Sequence, residues 1–238
     1  MVLSQVRDIV FGYGDVPVLD GISLDLPSRK FIGITGPNGA AKTTLLKILL
    51  GIIKPWSGEI TLHPEVLPEQ KIQIGYVPQH IASFNSGFPS RVHELVQSGC
   101  YSKLGLFGRF TQHWQVVVES SLREVGMWEH RNKLIGELSG GQKQRICIAR
   151  AMTGKPNVLI LDEPVAGMDQ QSRIHFYELM RHYVTVHGLT VIMVTHGLEE
   201  SEAYLDYVIS LEQQESEEWQ CLRTNSCSVR FGQGLALE

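Results

Sequence analysis

No stretch of this sequence approaches the roughly 18 apolar residues that a membrane-spanning helix requires. The longest apolar runs are short, and the one from Leu45 to Ile53 is broken by Lys47 and Gly51. The opening segment, Met1 to Asp15, carries charge early and lacks the apolar core of a secretory signal. The chain is therefore expected to be cytoplasmic, and any work at a membrane would need another subunit as anchor. Positive charge is not in excess either. With 21 Lys and Arg against 25 Asp and Glu, the formal net charge is -4, which argues against nucleic acid as a partner. Cysteine is scarce: Cys100, Cys147, Cys221 and Cys227 are too few for a disulfide framework and are expected as reduced thiols. There is no internal repeat and no heptad run.

What is present suits one large globular domain, or a domain with a lobe: 238 residues, 43% hydrophobic and 19% charged. Residues 6–11 and 18–26 read as strands joined by a turn at Gly12–Asp15. Ile22, Leu24 and Leu26 alternate with Ser23 and Asp25, the period of a half-buried strand. Phe31–Thr35 is a short apolar strand, followed by a glycine-rich turn and a helix over Lys42–Gly51. Gly58–Leu62 and Ile74–Val77 are further strands. Helical spacing dominates from about 80 to 153, in Val92–Gln97, Trp114–Val125 and Gln142–Met152. Val158–Leu161 is bare and apolar, as in a sheet covered on both faces. A helix over Gln171–Val186, a strand over Thr190–Val194, a short helix over Leu198–Tyr204 and a strand over Tyr207–Leu211 complete the pattern. Alternating strands and helices imply an α/β fold with a mainly parallel sheet. The organisation expected is a single domain: a core at about 1–79 and 154–211, an inserted helical lobe at about 80–153, and a C-terminal tail at 212–238 that opens on a polar surface stretch at 212–219.

Gly36-Pro-Asn-Gly-Ala-Ala-Lys42-Thr43 nearly fits G-x-x-x-x-G-K-[ST] and lies between a strand and a helix. Such a turn aims backbone N–H groups at phosphate oxygens, and the helix N-terminus adds the positive end of its dipole. Lys42 would reach the β- and γ-phosphates, and the Thr43 hydroxyl would bind Mg²⁺. Ala41 departs from the pattern by replacing the glycine before the lysine. If that position needs φ > 0, alanine there costs about 1–2 kcal/mol. Val158–Glu163 is an apolar strand ending in two carboxylates. Asp162 can hold Mg²⁺ through water, and Glu163 can polarise an attacking water. Two acids at a strand end are commonplace by themselves, but less so downstream of a phosphate loop. Leu138-Ser-Gly-Gly-Gln142 precedes a helix, where Ser139 and the amides of Gly140 and Gly141 form a second anion-binding concavity.

In order and spacing these residues resemble the ATP-binding cassette family over roughly residues 4–210. Gly36–Thr44, Ala41 aside, resembles Walker A, Val158–Glu163 resembles Walker B, and Leu138–Gln142 is the family signature without change. Gln79 in Tyr76-Val-Pro-Gln79 resembles the Q-loop glutamine. Ala166–Asp169 stands where the D-loop lies, His196 resembles the switch histidine, and Tyr13 falls where the family places an aromatic that stacks on adenine.

The resemblance implies a RecA-like P-loop NTPase core, an N-terminal antiparallel β subdomain and an inserted α-helical lobe. ATP would be held by Tyr13, Gly36, Asn38, Gly39, Ala40, Ala41, Lys42, Thr43, Thr44, Ser139, Gly140, Gly141, Gln142 and Asp169. Mg²⁺ would be held by Thr43, Gln79 and Asp162, with Glu163, His196, Gln79 and Lys42 acting in catalysis. Two copies would pack head to tail, each ATP lying between the phosphate loop of one and Ser139–Gln142 of the other. A multispan permease would seat the pair on the inner face of the membrane, and an extracytoplasmic metal-binding protein would act indirectly.

The run Ile81–Ser90 followed by Val92–Gly99 looks like the lobe entrance of metal-ion importers. Ala41 and the tail Trp219–Cys227 resemble the ATP-binding component of Gram-positive zinc importers; manganese stands second as cargo, with iron import or another transporter of the family beyond it. A soluble mechanochemical ATPase shares these motifs, but such chains usually join two cassettes or carry a long coiled coil. Five residues separate Cys221 from Cys227, which is not a tight metal-ligand spacing, and two thiols alone cannot complete a structural zinc site. Weak zinc binding that reports metal sufficiency is the functional reading open to them. Cys100 and Cys147 are expected as buried thiols. Lys42→Ala should weaken ATP binding, as read by titration with a fluorescent ATP analogue; unchanged affinity would count against the phosphate-loop assignment.

Overall fold

The fold is known from a computed structural model, which describes residues 2–62, 72–79, 89–104, 109–196, 200–213 and 219–224. The N-terminal segments pair as expected but run longer. Strand β1 (Val2–Tyr13) and strand β2 (Val16–Pro27) form an antiparallel hairpin closed at Gly14–Asp15. Gly14 has φ 71°, a backbone conformation that a side chain resists. Strand β4 (Ser57–Leu62) pairs with the other edge of β1, giving a sheet in the order β2-β1-β4.

The central sheet contains β3 (Phe31–Thr35), β5 (Ile74–Val77), β6 (Val158–Asp162), β7 (Thr190–Val194), β8 (Tyr207–Gln213) and β9 (Trp219–Thr224). Their order is β5-β6-β7-β3-β8-β9, parallel throughout except for β9, which runs antiparallel to β8. Successive side chains of a strand point to opposite faces, so each buried strand feeds two cores. Phe31, Leu159, Leu161, Val191 and Met193 join one core with Val96, Leu122, Ile146, Ile148 and Met180. Ile32, Ile34, Val158, Ile160, Ile192 and Val194 join the other with Val6, Ile9, Leu45, Leu46 and Ile48. Helix α6 (Gln170–Thr185) and the helices α2 (Val92–Ser98), α4 (Gln112–Glu124) and α5 (Gly140–Thr153) supply the first. The antiparallel sheet and helix α1 (Lys42–Leu49) supply the second.

Helices α2 to α5 follow one another between β5 and β6, together with a short α3 (Tyr101–Leu104) that hydropathy did not anticipate. Gly99 ends α2 where that helix meets α5. A Cβ there would stand 2.1 Å from the Arg150 carbonyl oxygen and 2.3 Å from Thr153 Oγ1. Cys100 and Cys147 are buried free thiols in this region. Burial pushes the Cys147 thiol up to about 11.

Two expectations change. Among the described residues the helix expected over Leu198–Tyr204 is a single 3-10 turn, Glu202–Tyr204, and 197–199 lie outside them. The tail beyond 211, with 212–219 expected as polar surface and no strand expected, extends β8 to Gln213 and returns as β9, with Leu211 opposite Cys221 and Val208 opposite Thr224. An open edge on β8 would leave a row of unpaired backbone groups. That need for a partner is a property of the sheet and leaves no mark on side-chain polarity. The stretch 81–88 of the importer-like run, Cys227, Leu237 and Glu238 lie outside the described residues. Gly99→Ala should destabilise the fold by about 1–3 kcal/mol through overpacking of α2 on α5, read as a lower urea midpoint at unchanged slope.

Candidate functional site

Because five strands are parallel, their C-terminal ends share one edge, the place where open α/β sheets bind ligands. The turn after β3 begins with Gly36 at φ 153°, where a Cβ would meet the Leu211 carbonyl oxygen at 2.6 Å. Gly39 follows at φ 87°, and Ala40 N–H donates to the Pro37 carbonyl at 3.2 Å. Asn38 lies at the exposed tip of this turn, while Ala40 is buried. Ala41 takes the N-cap position of α1 at φ 52°, ψ 24°, so alanine does stand in the left-handed region. No side chain caps α1 and no acidic residue occupies its first turn. Its leading amides are therefore free of side-chain acceptors, which leaves them to an anion.

Lys42 is 5% exposed. Its Nζ donates to the Gly36 and Pro37 carbonyls, 2.8 Å each. Burial lowers its pKa, against the opposing pull of Glu163 and Asp162. The ammonium thus sits inside the loop with neutral acceptors that an incoming phosphate can replace.

Asp162 ends β6 and is 2% exposed. Burial raises its pKa, and the nearby Glu163 adds to that, while a hydrogen bond from Thr43 and the charges of Lys47 and Lys42 oppose it. Thr43 Oγ1 donates to Asp162 Oδ1 at 3.3 Å. Glu163, at φ 48°, is anchored by its N–H to the Val194 carbonyl at 3.1 Å. Its carboxylate accepts from Gln79 Nε2 at 2.5 Å, and its other oxygen contacts His196 Nε2. Gln79 follows β5, Glu163 follows β6 and His196 follows β7, so three neighbouring strand ends converge on one carboxylate. The hydroxyl of Thr43 and the carboxylate of Asp162 are hard oxygen donors at one point, with Gln79 one strand away. Such a set fits a small divalent cation that completes its shell from phosphate and water. No group of three or more His, Cys, Asp and Glu able to hold a metal occurs among the described residues.

The remaining residues stand apart. Ser139 caps α5: its Oγ accepts from Gln142 N–H at 3.3 Å, and Gln142 Oε1 accepts from Ser139 N–H at 3.1 Å. Ser139 and Gly140 are exposed, and a Cβ on Gly141 would lie 3.8 Å from Ser172 Oγ. Asp169 caps α6, accepting from the Ser172 N–H at 2.9 Å and the Ser172 hydroxyl at 2.7 Å, bonds that lower its pKa. Neither segment hydrogen-bonds the phosphate loop within the described residues. Tyr13 does: its hydroxyl lies 3.3 Å from Thr44 Oγ1, with the ring 59% exposed beside the loop.

One contact had no sequence signal. Arg173 pairs with Glu200 through two hydrogen bonds of 2.6 and 2.9 Å and donates to the Met168 carbonyl at 2.9 Å, tying the segment before α6 to the chain after His196.

Compared with known proteins, residues 19–166 match the family model described as ABC transporter. Over 231 residues the chain is 52% identical to the high-affinity zinc uptake system ATP-binding protein ZnuC of Bacillus subtilis, covering 97% of this chain and 100% of that protein. It is 47% identical over 227 residues to the zinc transport system ATP-binding protein AdcC of Streptococcus pneumoniae, covering 95% of this chain and 97% of that one. Among solved structures, an inward-facing metal-chelate type ABC transporter superposes with a TM-score of 0.81 at 26% identity, covering 94% of this chain and 84% of that chain.

Ala41→Gly should raise stability in the nucleotide-free protein by about 0.5–1 kcal/mol, since relief of the left-handed strain exceeds the added freedom of glycine when unfolded. Urea denaturation reads it, and a lower midpoint would contradict it.

Proposed function

This chain belongs to the ABC transporter family, and from that premise we propose that it is the ATP-hydrolysing motor subunit of a metal-ion importer whose cargo is zinc. The observation that carries the motor assignment is the convergence of Gln79 and His196 on Glu163, beside Asp162 and the phosphate loop. The cargo rests on two near-full-length relatives, both named as zinc transport subunits.

ATP binds with its phosphates on the first turn of α1, and its β- and γ-phosphates replace the Gly36 and Pro37 carbonyls as partners of Lys42. Gly36, Asn38, Gly39, Ala40, Ala41, Thr43 and Thr44 complete that cradle, and adenine lies on Tyr13. Thr43, Asp162 and Gln79 would hold Mg²⁺, which supplies positive charge against the phosphate oxygens. Glu163 orients a water in line with the γ-phosphorus and takes its proton. The new P–O bond forms as the bond to the ADP oxygen breaks. His196 steadies the γ-phosphoryl group, and Gln79 relays its presence to the helices that follow β5.

The sandwich needs a second copy. Ser139 to Gln142 and Asp169 cap their own helices and, among the described residues, make no hydrogen bond to the phosphate loop of their own chain; on this reading they serve the nucleotide of a head-to-tail partner. ATP then favours the closed pair and ADP the open one, which is the differential affinity that a ligand-driven switch requires. Among the described residues no helix is long and apolar enough to cross a membrane. A multispan permease therefore holds the pair at the inner face, and an extracytoplasmic metal-binding protein delivers the ion. We read the chain as one cassette, with a core at about 1–79 and 154–211, a helical lobe at about 80–153, and a C-terminal segment that adds β9 to the sheet.

Glu163→Gln should retain ATP binding, lose about 100-fold or more of steady-state phosphate release, and accumulate as an ATP-bound dimer in light scattering. Release at the wild-type rate would remove Glu163 from the base role. Co-expressed with its permease and binding protein, the wild type should drive uptake of radioactive zinc in preference to manganese.

A further inference from the structure

An exposed tryptophan is informative where it has an apolar neighbour to cover. Trp56 is 49% exposed and stands just before β4, its backbone N–H donating to the Val10 carbonyl at 2.8 Å. That bond fixes the side chain over β1. The indole centroid lies 6.0 Å from that of Phe11, and Phe11 meets Tyr13 edge to face at 5.2 Å with an interplanar angle of 86°. Between the two aromatic positions of β1 sits Gly12. A Cβ there would stand 2.5 Å from Trp56 Cη2 and 2.0 Å from the Val16 carbonyl oxygen. Gly12 is thus required by space: the indole and the returning strand occupy the volume a side chain would take. Phe11 is 8% exposed and Tyr13 is 59% exposed, so the cluster runs from core to surface and ends in an open ring beside Thr44.

We infer that Trp56 is a positioning residue for the nucleotide base, acting through Phe11 and across Gly12 to hold the Tyr13 ring at the angle adenine needs. The inference rests on the reading of Tyr13 as the adenine platform. A strand end that carries an exposed ring is free to twist. Phe11 meets that ring edge to face, Trp56 stands behind Phe11, and the Thr44 hydroxyl lies at the ring's far end. Ordering the platform before ATP arrives removes part of the entropy cost of binding. Trp56 stands against Val10, Phe11 and Gly12, none of them in the phosphate loop, so its contribution falls on nucleotide affinity rather than on turnover.

The test is a double-mutant cycle in the full chain, reading KM and kcat for ATP hydrolysis. Trp56→Ala should raise KM about 3–10-fold, the size of a lost aromatic pair, with kcat changed less than about twofold. Trp56→Phe should recover most of the loss. Tyr13→Ala should raise KM at least as much, and Tyr13→Ala with Trp56→Ala should be no worse than Tyr13→Ala alone, because the buttress then has nothing to position. Additive effects in the double variant, or a Trp56→Ala KM equal to wild type beside a raised Tyr13→Ala KM, would overturn the buttress and leave the platform reading intact. A Tyr13→Ala variant with unchanged KM would overturn the platform and the inference together. Melting temperatures of all four variants identify any loss that follows unfolding instead.

Discussion

Parallel strands buried on both faces meet solvent only at their ends, and that constraint organises the whole molecule. The faces of the sheet are taken up by two cores, one shared with α1 and the antiparallel sheet and the other with α6 and the intervening helices. Chemistry is left to the C-terminal edge, where consecutive backbone amides and the last side chain of each strand point outward. The phosphate loop, Asp162, Glu163, Gln79 and His196 occur together because β3, β6, β5 and β7 terminate there. Their spread along the sequence is the cost of the parallel connection, which needs a crossover between every pair of strands.

The same edge gathers charge and strain. Lys42 and Asp162 are nearly enclosed, and burial moves each toward its neutral form, the lysine downward and the aspartate upward. Among the described residues the ammonium rests on two carbonyls and the carboxylate accepts from the Thr43 hydroxyl. On the proposed reading, a phosphate and a cation would satisfy both groups in one event. Ala41 and Glu163 both adopt left-handed backbone conformations that residues with a Cβ avoid. Residues held so persist where the surroundings over-determine them, and such residues cluster at active sites. Ala41 lies where the turn must become a helix, and Glu163 where the chain must leave β6 with its carboxylate turned toward β5 and β7.

Two segments do quieter work in the isolated chain than their family resemblance suggests. Ser139 and Gln142 close a reciprocal cap, and Asp169 caps α6 through Ser172. These bonds stabilise helix starts and hold each segment rigid and exposed. On the proposed reading, Ser139 to Gln142 would meet the nucleotide of a second copy from this pre-formed cap, and Trp56 would do the equivalent for the base within one copy.

The local physics was legible in the residues. Period-two alternation over Ile22–Leu26 marked β2, bare apolar runs marked β3, β6 and β7, and the glycine-rich turn ahead of Lys42 marked the start of α1. Such features are legible because each depends on neighbours within a few positions. Strand β9 was missed because its reason to exist is the open edge of β8, a need for backbone partners that side-chain pattern does not record. The pairing of Arg173 with Glu200 was missed because its members lie in separate segments; the resemblance put Gln79, Glu163 and His196 in one catalytic group, and the structure adds that Gln79 and His196 both contact the Glu163 carboxylate. The amino-acid sequence alone thus determined on what kind of element each candidate site residue sits. Tertiary structure alone decided the sheet order and the left-handed conformation that Ala41 takes, because each depends on contacts between segments that no local pattern records.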